Sequence, residues 1–226
     1  MISGETRLVG LLGDPVSASL SPLMQNAAFA ATGLDWTYVA LPVAAERLED
    51  AVHGLVALGF AGANVTTPHK RAVTRLVETD EPSVNTLVVR DGRVEGFSTD
   101  PAVLAELGVG HAAILGAGGA AEAFAHALPD AARFSRRGRW PPDVAGCAVV
   151  VNATSERDDV LVELTSGQTL VDLPYPPTAT ARQAERAGAR VVDGLEVLVA
   201  QGAAAFELWT GLPAPVDVMR AAVRSA

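Results

Sequence analysis

The chain has 226 residues, 49% of them hydrophobic, a composition that suits one large or two small globular domains and argues against disorder. Its formal net charge of -9 argues against nucleic acid as a partner, because phosphate contacts need clustered lysine and arginine. The single cysteine, Cys147, lies in the apolar run GCAVVVN and predicts a buried, inert thiol in a reducing compartment.

The sequence has no feature typical of a targeted or metal-binding protein. The run MISGETRLVGLLGD lacks a basic segment followed by a long apolar stretch, which argues against a signal peptide. No apolar run reaches the ~18 residues that a membrane-spanning helix needs. We therefore predict a cytoplasmic protein with no membrane partner. His53, His111 and His126 are scattered without metal-ligand spacing, so we predict no metal site.

The first hundred residues alternate between predicted strands and helices. RLVGLLG predicts a strand, and SPLMQNAAFAATG predicts a helix with Ser21 as its cap, Pro22 at its first position and Gly33 at its stop. WTYVALPV and FAGANVT predict strands, and ERLEDAVHGLVALG and HKRAVTRLV predict helices. VNTLVVRDGRVEGFST predicts a hairpin that turns at Asp91 and Gly92. The alternation predicts a mainly parallel sheet with helices on both faces.

A second unit begins near Thr99. AAILGAGGAAEAFAHAL predicts a strand, a glycine-rich turn and a helix; ARFSRR, CAVVVNAT, TLVDLP and RVVDG predict strands, and TARQAERAG a helix. GLEVLVAQGAAAFELWTG and APVDVMRAAVRSA predict two final helices. We predict an α/β protein of two domains with a cleft between them. One covers residues 1–98, completed by helices in 202–226, and the other is a Rossmann-like, doubly wound domain over 99–201.

The turn GAGGAA, residues 116–121, follows a predicted strand in the pattern G-x-G-x-x-A. Gly116 would allow the tight turn, Gly118 would let the backbone approach a pyrophosphate, and the helix amides would hold the anion. The alternative is a tight turn in an alanine-rich protein. About 20 residues further on, where an NAD site places an acid, the sequence has Arg136, which suits the 2′-phosphate of NADP. The alternative there is a solvated basic turn.

Polar groups and a lysine follow the predicted strand in NVTTPHK, residues 64–70. Oxidation of a secondary alcohol by a nicotinamide removes a hydride and a hydroxyl proton, and a pair such as Lys70 and Asp100 can exchange that proton. Lys70 could instead be an exposed lysine at a helix start, and Asp100 could be a helix cap. A polyhydroxylated acid also needs many short donors and acceptors at one end of a sheet, which this segment supplies.

These motifs resemble the shikimate dehydrogenase family. GDPVSASLSPLMQNAAF is similar to the family's opening loop, NVTTPHK to its N-V-T-x-P-H/F-K signature, and VNTLV, STD, GAGGA, NATS and QGAAAFELWTG follow in the family's order. The resemblance implies reversible NADPH-dependent reduction of 3-dehydroshikimate to shikimate in chorismate and aromatic amino-acid biosynthesis. It implies a substrate-binding and catalytic N-terminal domain beside an NADP-binding Rossmann-like domain, and it is compatible with a homodimer.

The resemblance also implies roles for individual residues. Lys70 and Asp100 match the catalytic pair. The positions that match substrate contacts are Ser19, Ser21, Asn64, Thr66, Asn85, Tyr175 and Gln201. The positions that match cofactor contacts are Gly116, Ala117, Gly118, Gly119, Ala120, Ser135, Arg136, Asn152, Ala153, Thr154 and Leu173.

Some of these positions have structural alternatives. Ser21 could only cap its helix, and Asn85 could be a turn residue. Tyr175 could brace a proline-rich turn, and Gln201 could be a surface residue. His69 is interpreted as structural rather than catalytic.

The sequence departs from the family pattern on the cofactor side. The stretches after Lys70 and after Arg136 are short, so a shorter wall beside the adenosine is expected. Trp140 either stacks on the adenine or, as we favour, packs against the trimmed edge. Glu196 stands where the family usually has a glycine close to the nicotinamide. Two alternatives to an NADP-dependent shikimate dehydrogenase therefore stay open: a quinate/shikimate dehydrogenase that uses NAD, and a non-catalytic shikimate-binding paralogue.

Overall fold

The computed structural model describes residues 2–226 and divides them into two compact units. The first unit consists of the chain up to Thr99 together with Val199–Ala226, and the second is Asp100–Leu198. The first unit is therefore assembled from two segments that are far apart in sequence. Within the described residues, no helix has both the length and the apolar character needed to cross a membrane.

The first unit contains a five-stranded sheet in the order β2-β1-β3-β4-β5. The strand β1 (Arg7–Gly13) lies parallel to β2 (Trp36–Pro42) and to β3 (Gly62–Val65). The strands β4 (Thr86–Arg90) and β5 (Arg93–Phe97) form an antiparallel hairpin that extends the sheet from β3. The sheet is thus mixed: its parallel half agrees with the predicted alternation, and the predicted hairpin supplies the antiparallel half.

The hairpin turn confirms the prediction made from the Asp-Gly pair. Asp91 has a φ of 49° and Gly92 a φ of 78°. A two-residue hairpin turn of the type that matches strand twist requires positive φ at both central residues, which aspartate and glycine tolerate.

The helix α1 (Ser21–Ala31) begins one residue earlier than a cap at Ser21 would allow. Its capping position is Leu20, which makes no side-chain cap bond, so the predicted capping role of Ser21 is wrong. The hydroxyl of Ser19 accepts a hydrogen bond from the amide of Ser21 at 3.2 Å and satisfies one donor of the first turn. Gly33, with φ of 69°, follows the helix end as predicted.

The predicted helix over HKRAVTRLV is wrong. After α2 (Leu48–Ala57) and β3, only a short 3-10 turn at Val73–Arg75 forms. The amide of Glu78 donates to Val94 O at 2.9 Å, and Gly96 donates back to Glu78 O at 2.9 Å. The residue that follows the predicted helix is therefore bonded to the edge of β5 rather than to a further helical turn.

The second unit has a five-stranded sheet in the order β10-β9-β8-β6-β7, and every pairing in it is parallel. Its strands are β6 (Ala112–Leu115), β7 (Ala132–Phe134), β8 (Val149–Asn152), β9 (Thr169–Asp172) and β10 (Arg190–Val192). The chain runs from β6 to β7 on one side and returns to β8 on the other. Such a reversal of strand order creates a crevice at the carboxyl ends of the two central strands.

Only two complete helices cross over in this unit, α3 (Gly119–Ala127) and α4 (Ala179–Arg186). Residues 135–148, all of them described, form turns rather than a helix. The segment Asp100–Glu106, where a helix cap at Asp100 was the alternative to a catalytic role, is a 3-10 helix. Trp140 packs against the apolar core of this unit, as favoured from the sequence.

Cys147 is half-buried beside the same core, rather than fully buried as predicted. Burial, followed by the charge of Asp143, raises the pKa of its thiol. A raised pKa lowers the thiolate fraction at neutral pH and favours an inert thiol.

The helix α5 (Gly194–Thr210) begins in the second unit and ends in the first, and α6 (Val216–Arg224) follows it. Phe206 stacks on Phe29 of α1 with ring centroids 5.6 Å apart. The indole of Trp209 donates to Leu87 O at 2.8 Å. The C-terminal segment therefore completes the core of the first unit.

Candidate active site

A buried polar cluster lies where β3 meets β4 in the first unit. The hydroxyl of Tyr38 donates to Asn64 Oδ1 at 2.9 Å. The amide nitrogen of Asn64 donates to Asn85 O at 3.1 Å and to Thr86 Oγ1 at 3.0 Å. Both donor hydrogens of Asn64 are engaged in these bonds, so this side chain fixes the cluster in place.

Asn85 connects this cluster to the C-terminal segment. Its Oδ1 accepts from the backbone amide of Thr99 at 2.6 Å, and its Nδ2 donates to Gln201 Oε1 at 3.2 Å. Asn85 is buried and Gln201 is half-buried. The structure therefore favours a bonded network over the alternatives of a turn residue at Asn85 and a surface residue at Gln201.

A second link joins α1 to α5 beside Gln201. The amide of Gln25 donates to Gly202 O at 2.8 Å, and Gln25 is fully buried. A side chain at Gly202 would collide with Met24, so glycine permits this close approach. Gln25 was not predicted from the sequence, although a polar residue beside Met24 in the predicted helix was the available signal.

Lys70 follows β3 in a backbone that is fixed on both sides. The amide of His69 donates to Thr66 O at 2.9 Å, and the amide of Val84 donates to Lys70 O at 2.9 Å. A ring nitrogen of the buried His69 lies 2.7 Å from Val43 O, as the structural interpretation of that histidine predicts. Lys70 itself is half-buried and is the only lysine in the chain.

The predicted substrate and catalytic residues divide between the two units. The first unit holds Ser19, Ser21, Asn64, Thr66, Lys70, Asn85 and Gln201. The second unit holds Asp100, its first residue, and Tyr175, in the loop after β9.

The glycine-rich turn of the second unit joins β6 to α3. Gly116 has a φ of 125°, and a Cβ there would lie 2.7 Å from Ala153 O. A Cβ at Gly118 would have no atom within 4 Å. The helix begins at Gly119, and its capping residue Gly118 has no side chain, so the first amides of the helix receive no cap bond from it. An open, uncapped helix start of this kind suits an anion.

The ends of β6 and β8 meet beside this turn. Leu115 pairs with Asn152, and the amide of Ala153 donates to Leu115 O at 2.9 Å. The amide of Leu173 donates to Asn152 O at 3.1 Å. Asn152, Ala153, Leu173 and the glycine turn are thus gathered at the crevice edge of one sheet.

Asp172, at the end of β9, holds Asn152 in place through a hydrogen bond. It accepts from Asn152 Nδ2 at 2.7 Å and from the amide of Thr178 at 3.2 Å. Thr178 in turn caps α4, since its hydroxyl accepts from the amide of Ala181 at 3.1 Å. Burial raises the pKa of Asp172, and the bonds from Asn152 and Thr178 oppose that shift. The sequence signal that was missed was an acid inside the apolar run TLVDLP.

Arg136 follows β7, and the structure surrounds it with acids. Its Nη2 lies 3.5 Å from Glu156 Oε2 and 3.6 Å from Asp159 Oδ2. Its guanidinium also lies 5.9 Å from the centroid of the Trp140 ring. Arg136 is therefore part of an ion-pair cluster with Glu156 and Asp159. The interpretation of this segment as a solvated basic turn did not predict these acidic partners.

Family comparisons place the chain among known proteins. The model described as shikimate dehydrogenase substrate binding domain matches residues 11–87, and the model described as shikimate 5'-dehydrogenase C-terminal domain matches residues 194–224. A relative from Anaeromyxobacter sp. (strain Fw109-5), named shikimate dehydrogenase (NADP(+)), is 42% identical, over 99% of this chain and 98% of the relative. That alignment spans 272 positions, more than the 226 residues here, so this chain lacks segments that the relative has.

Solved structures give the same family. The shikimate 5-dehydrogenase from Thermus thermophilus, in complex with NADP(H) and shikimate, has a TM-score of 0.86 and 31% identity, over 97% of this chain and 99% of that chain. A quinate dehydrogenase from Corynebacterium glutamicum, in complex with NAD, has a TM-score of 0.82 and 25% identity, over 98% of this chain and 99% of that chain.

Proposed function

Because this chain belongs to the shikimate dehydrogenase family, we propose that it is an NADP-dependent oxidoreductase that interconverts shikimate and 3-dehydroshikimate in chorismate and aromatic amino-acid biosynthesis. The observation that carries the proposal is 42% identity over nearly the full length of a relative named shikimate dehydrogenase (NADP(+)). The first unit would bind the hydroxy acid and the second would bind NADP. A cytoplasmic location and a homodimer stay predictions.

Several features of the second unit fit a dinucleotide. The positive φ of Gly116 and the open space at Gly118 leave the start of α3 accessible to a pyrophosphate. The pyrophosphate would be held by Gly116, Ala117, Gly118, Gly119 and Ala120. The adenosine end would be held by Ser135 and Arg136, and the remaining contacts would come from Asn152, Ala153, Thr154 and Leu173. Bound NADP supplies the group that accepts or donates the hydride.

The protein's own residues would position the substrate and move its proton. Lys70 would exchange the hydroxyl proton and stabilise the developing negative charge on that oxygen, while Asp100 would orient Lys70. The backbone hydrogen bonds on both sides of Lys70 support this role, because they fix the point on the main chain from which its side chain extends.

The other polar side chains would hold the ring substituents. Ser19 and Ser21 would bind the carboxylate, and Thr66, Asn85, Tyr175 and Gln201 would bind hydroxyl groups. Asn64 would act mainly through Asn85, since both of its amide hydrogens are already bonded within the sheet.

Absorbance at 340 nm, with shikimate and either NADP or NAD, tests the proposal. We expect reduction of NADP in the presence of shikimate. Thermal stabilisation by shikimate without any oxidation would favour the non-catalytic paralogue. Oxidation of quinate with NAD, without oxidation of shikimate with NADP, would favour the quinate enzyme. The pairing of Arg136 with two acids supports testing NAD as the alternative cofactor.

A further inference from the structure

The loop after β8 places the carboxylate of Glu156 beside Arg136. Asn152 Oδ1 accepts from Thr154 Oγ1 at 2.8 Å, and Thr154 Oγ1 accepts from the amide of Glu156 at 3.2 Å. These bonds connect the end of a buried strand to the backbone of Glu156 step by step. These hydrogen bonds therefore hold the backbone of Glu156 in a fixed position relative to β8.

The carboxylate of Glu156 is also oriented. Its Oε1 accepts from the amides of Arg157 at 3.0 Å and Asp158 at 3.2 Å, and its Oε2 faces Arg136. The Asp158 amide above all, helped by neighbouring amides and by Arg136, holds the pKa of Glu156 below its usual range. The carboxylate is therefore ionised at neutral pH.

Asp159 adds a second negative charge at the same guanidinium. It lies 3.6 Å from Arg136 and is largely exposed, as is Arg136 itself. A 2′-phosphate that approaches Arg136 carries a charge of about −2 and three acceptor oxygens. It has to compete with two carboxylates for the same donors, and both carboxylates repel it.

We propose that Glu156 and Asp159 are specificity-determining residues, which occupy Arg136 and so weaken the preference of this enzyme for cofactors that carry a 2′-phosphate. The inference rests on the proposed function, since it assumes that the second unit binds a nicotinamide dinucleotide. Its consequence is an enzyme that tolerates NAD better than the presence of Arg136 alone would indicate.

The test is calorimetric binding of 2′,5′-ADP and of 5′-ADP to the full chain and to the variant Glu156→Gln with Asp159→Asn. Glutamine keeps an oxygen for the loop amides, so the loop bonds survive. Exposed ion pairs are individually weak, so we expect the affinity for 2′,5′-ADP to rise about five- to tenfold. The affinity for 5′-ADP should change less than about twofold, because it lacks the 2′-phosphate.

A charge-matched control is Asp130→Asn with Glu163→Gln, two exposed acids of the same unit that lie outside the ion pairs of Arg136 with Glu156 and Asp159. This control should leave the ratio of the two affinities unchanged. Arg136→Gln should abolish any preference for 2′,5′-ADP. An unchanged ratio in the Glu156 and Asp159 variant, or an equal rise in the control, overturns the proposal.

Turnover separates this proposal from the proposed function. The Glu156 and Asp159 variant should raise the NADP-to-NAD ratio of kcat/KM with shikimate by the same factor as the binding ratio. If the nucleotides bind as expected but the protein oxidises no shikimate, the proposed function is contradicted and the inference about Glu156 and Asp159 stands. Failure of the wild-type protein to bind either nucleotide overturns the inference about Arg136 as well.

Discussion

The role proposed for Lys70 is one that no other basic residue in its segment can fill. Arginine stays protonated at any physiological pH, and every basic side chain of this chain other than Lys70 and the histidines is an arginine. The nearest histidine in sequence, His69, is buried with a ring nitrogen against Val43 O. Lys70 is therefore the group in this segment that can both donate and recover a proton.

We expect Lys70→Ala to lower kcat by about 10²–10⁴-fold with little change in shikimate affinity. Lys70→Arg should bind shikimate and also turn over slowly, because arginine keeps the charge without exchanging the proton. Steady-state kinetics and calorimetry measure the two effects. Arg75→Ala, which removes an exposed positive charge nearby, is the control. A near-normal rate in Lys70→Ala would remove this residue from the mechanism.

Asp172 should make stability depend on pH in an identifiable direction. Its pKa is raised in the folded state, so its stabilising contribution is full below the unfolded pKa of about 3.9 and is lost as pH rises through the folded value. Asp172→Asn removes this titration. The new side-chain NH2 group would face a donor of Asn152 or Thr178, and this mismatch should lower the free energy of unfolding by about 1–3 kcal/mol.

Urea denaturation of both proteins across a pH series measures this effect. The unfolding free energy of the wild type minus that of Asp172→Asn should fall as pH rises above about 4 and then level off. Thr169→Ser, at the other end of β9, serves as a control for substitution in the same strand. A difference that stays constant with pH would show that Asp172 does not titrate differently on folding.

At the scale of elements, the turn between β6 and α3 contains two glycines in different surroundings. Gly116 needs its positive φ and the absence of a Cβ to pass Ala153, whereas Gly118 has extended backbone and open space around it. The two glycines therefore serve different purposes, which the shared motif does not reveal.

We expect Gly116→Ala to lower both thermal stability and nucleotide affinity, because its Cβ meets backbone atoms that cannot rotate away. Gly118→Ala should leave the melting temperature nearly unchanged but weaken the binding of 5′-ADP, since its Cβ would occupy the space proposed for the pyrophosphate. Thermal denaturation and calorimetry distinguish the two. Equal losses of stability in both variants would contradict this assignment.

Elements with strong local signals were predictable from the sequence, and those decided by tertiary partners were not. The buried runs AAIL and VVVN form strands, and Asp91-Gly92 turns the hairpin, because local propensity and burial agree. The helix predicted over HKRAVTRLV did not form: Lys70 O accepts instead from the amide of Val84, a tertiary bond that the local sequence does not indicate. Asn85 and Gln201 could be singled out separately, but their hydrogen bond joins residues 116 positions apart. Gln25, Asp172 and Glu156 were missed because their roles depend on neighbours from other elements.

At the scale of the whole molecule, the first unit depends on the last helix of the chain. Met219 and Val223 of α6 are buried, and α6 packs against α1, which begins at Ser21. A helix remote in sequence thus supports the element that begins with a predicted substrate residue.

Met219→Ala should destabilise the protein by about 2–5 kcal/mol, the usual result of truncating a buried methionine. Val218→Ala, at a neighbouring but exposed position of the same helix, should stay within about 0.5 kcal/mol of the wild type. Chemical denaturation with and without shikimate measures both, and shikimate should stabilise the Met219 variant less strongly. Equal effects of the two substitutions would contradict the role assigned to α6.

The two-segment construction of the first unit has a consequence for biosynthesis. Phe29 and Leu87 are translated well before Phe206 and Trp209, the residues that contact them in the folded protein. At translation speeds of about 5–20 residues per second, the roughly 120–180 residues between these partners take on the order of 6–36 seconds to appear. Throughout that interval the apolar side chains that the C-terminal segment later contacts stay exposed, while the continuous middle segment can fold as it emerges. We therefore expect chaperone demand during synthesis to fall mainly on the earliest part of the polypeptide.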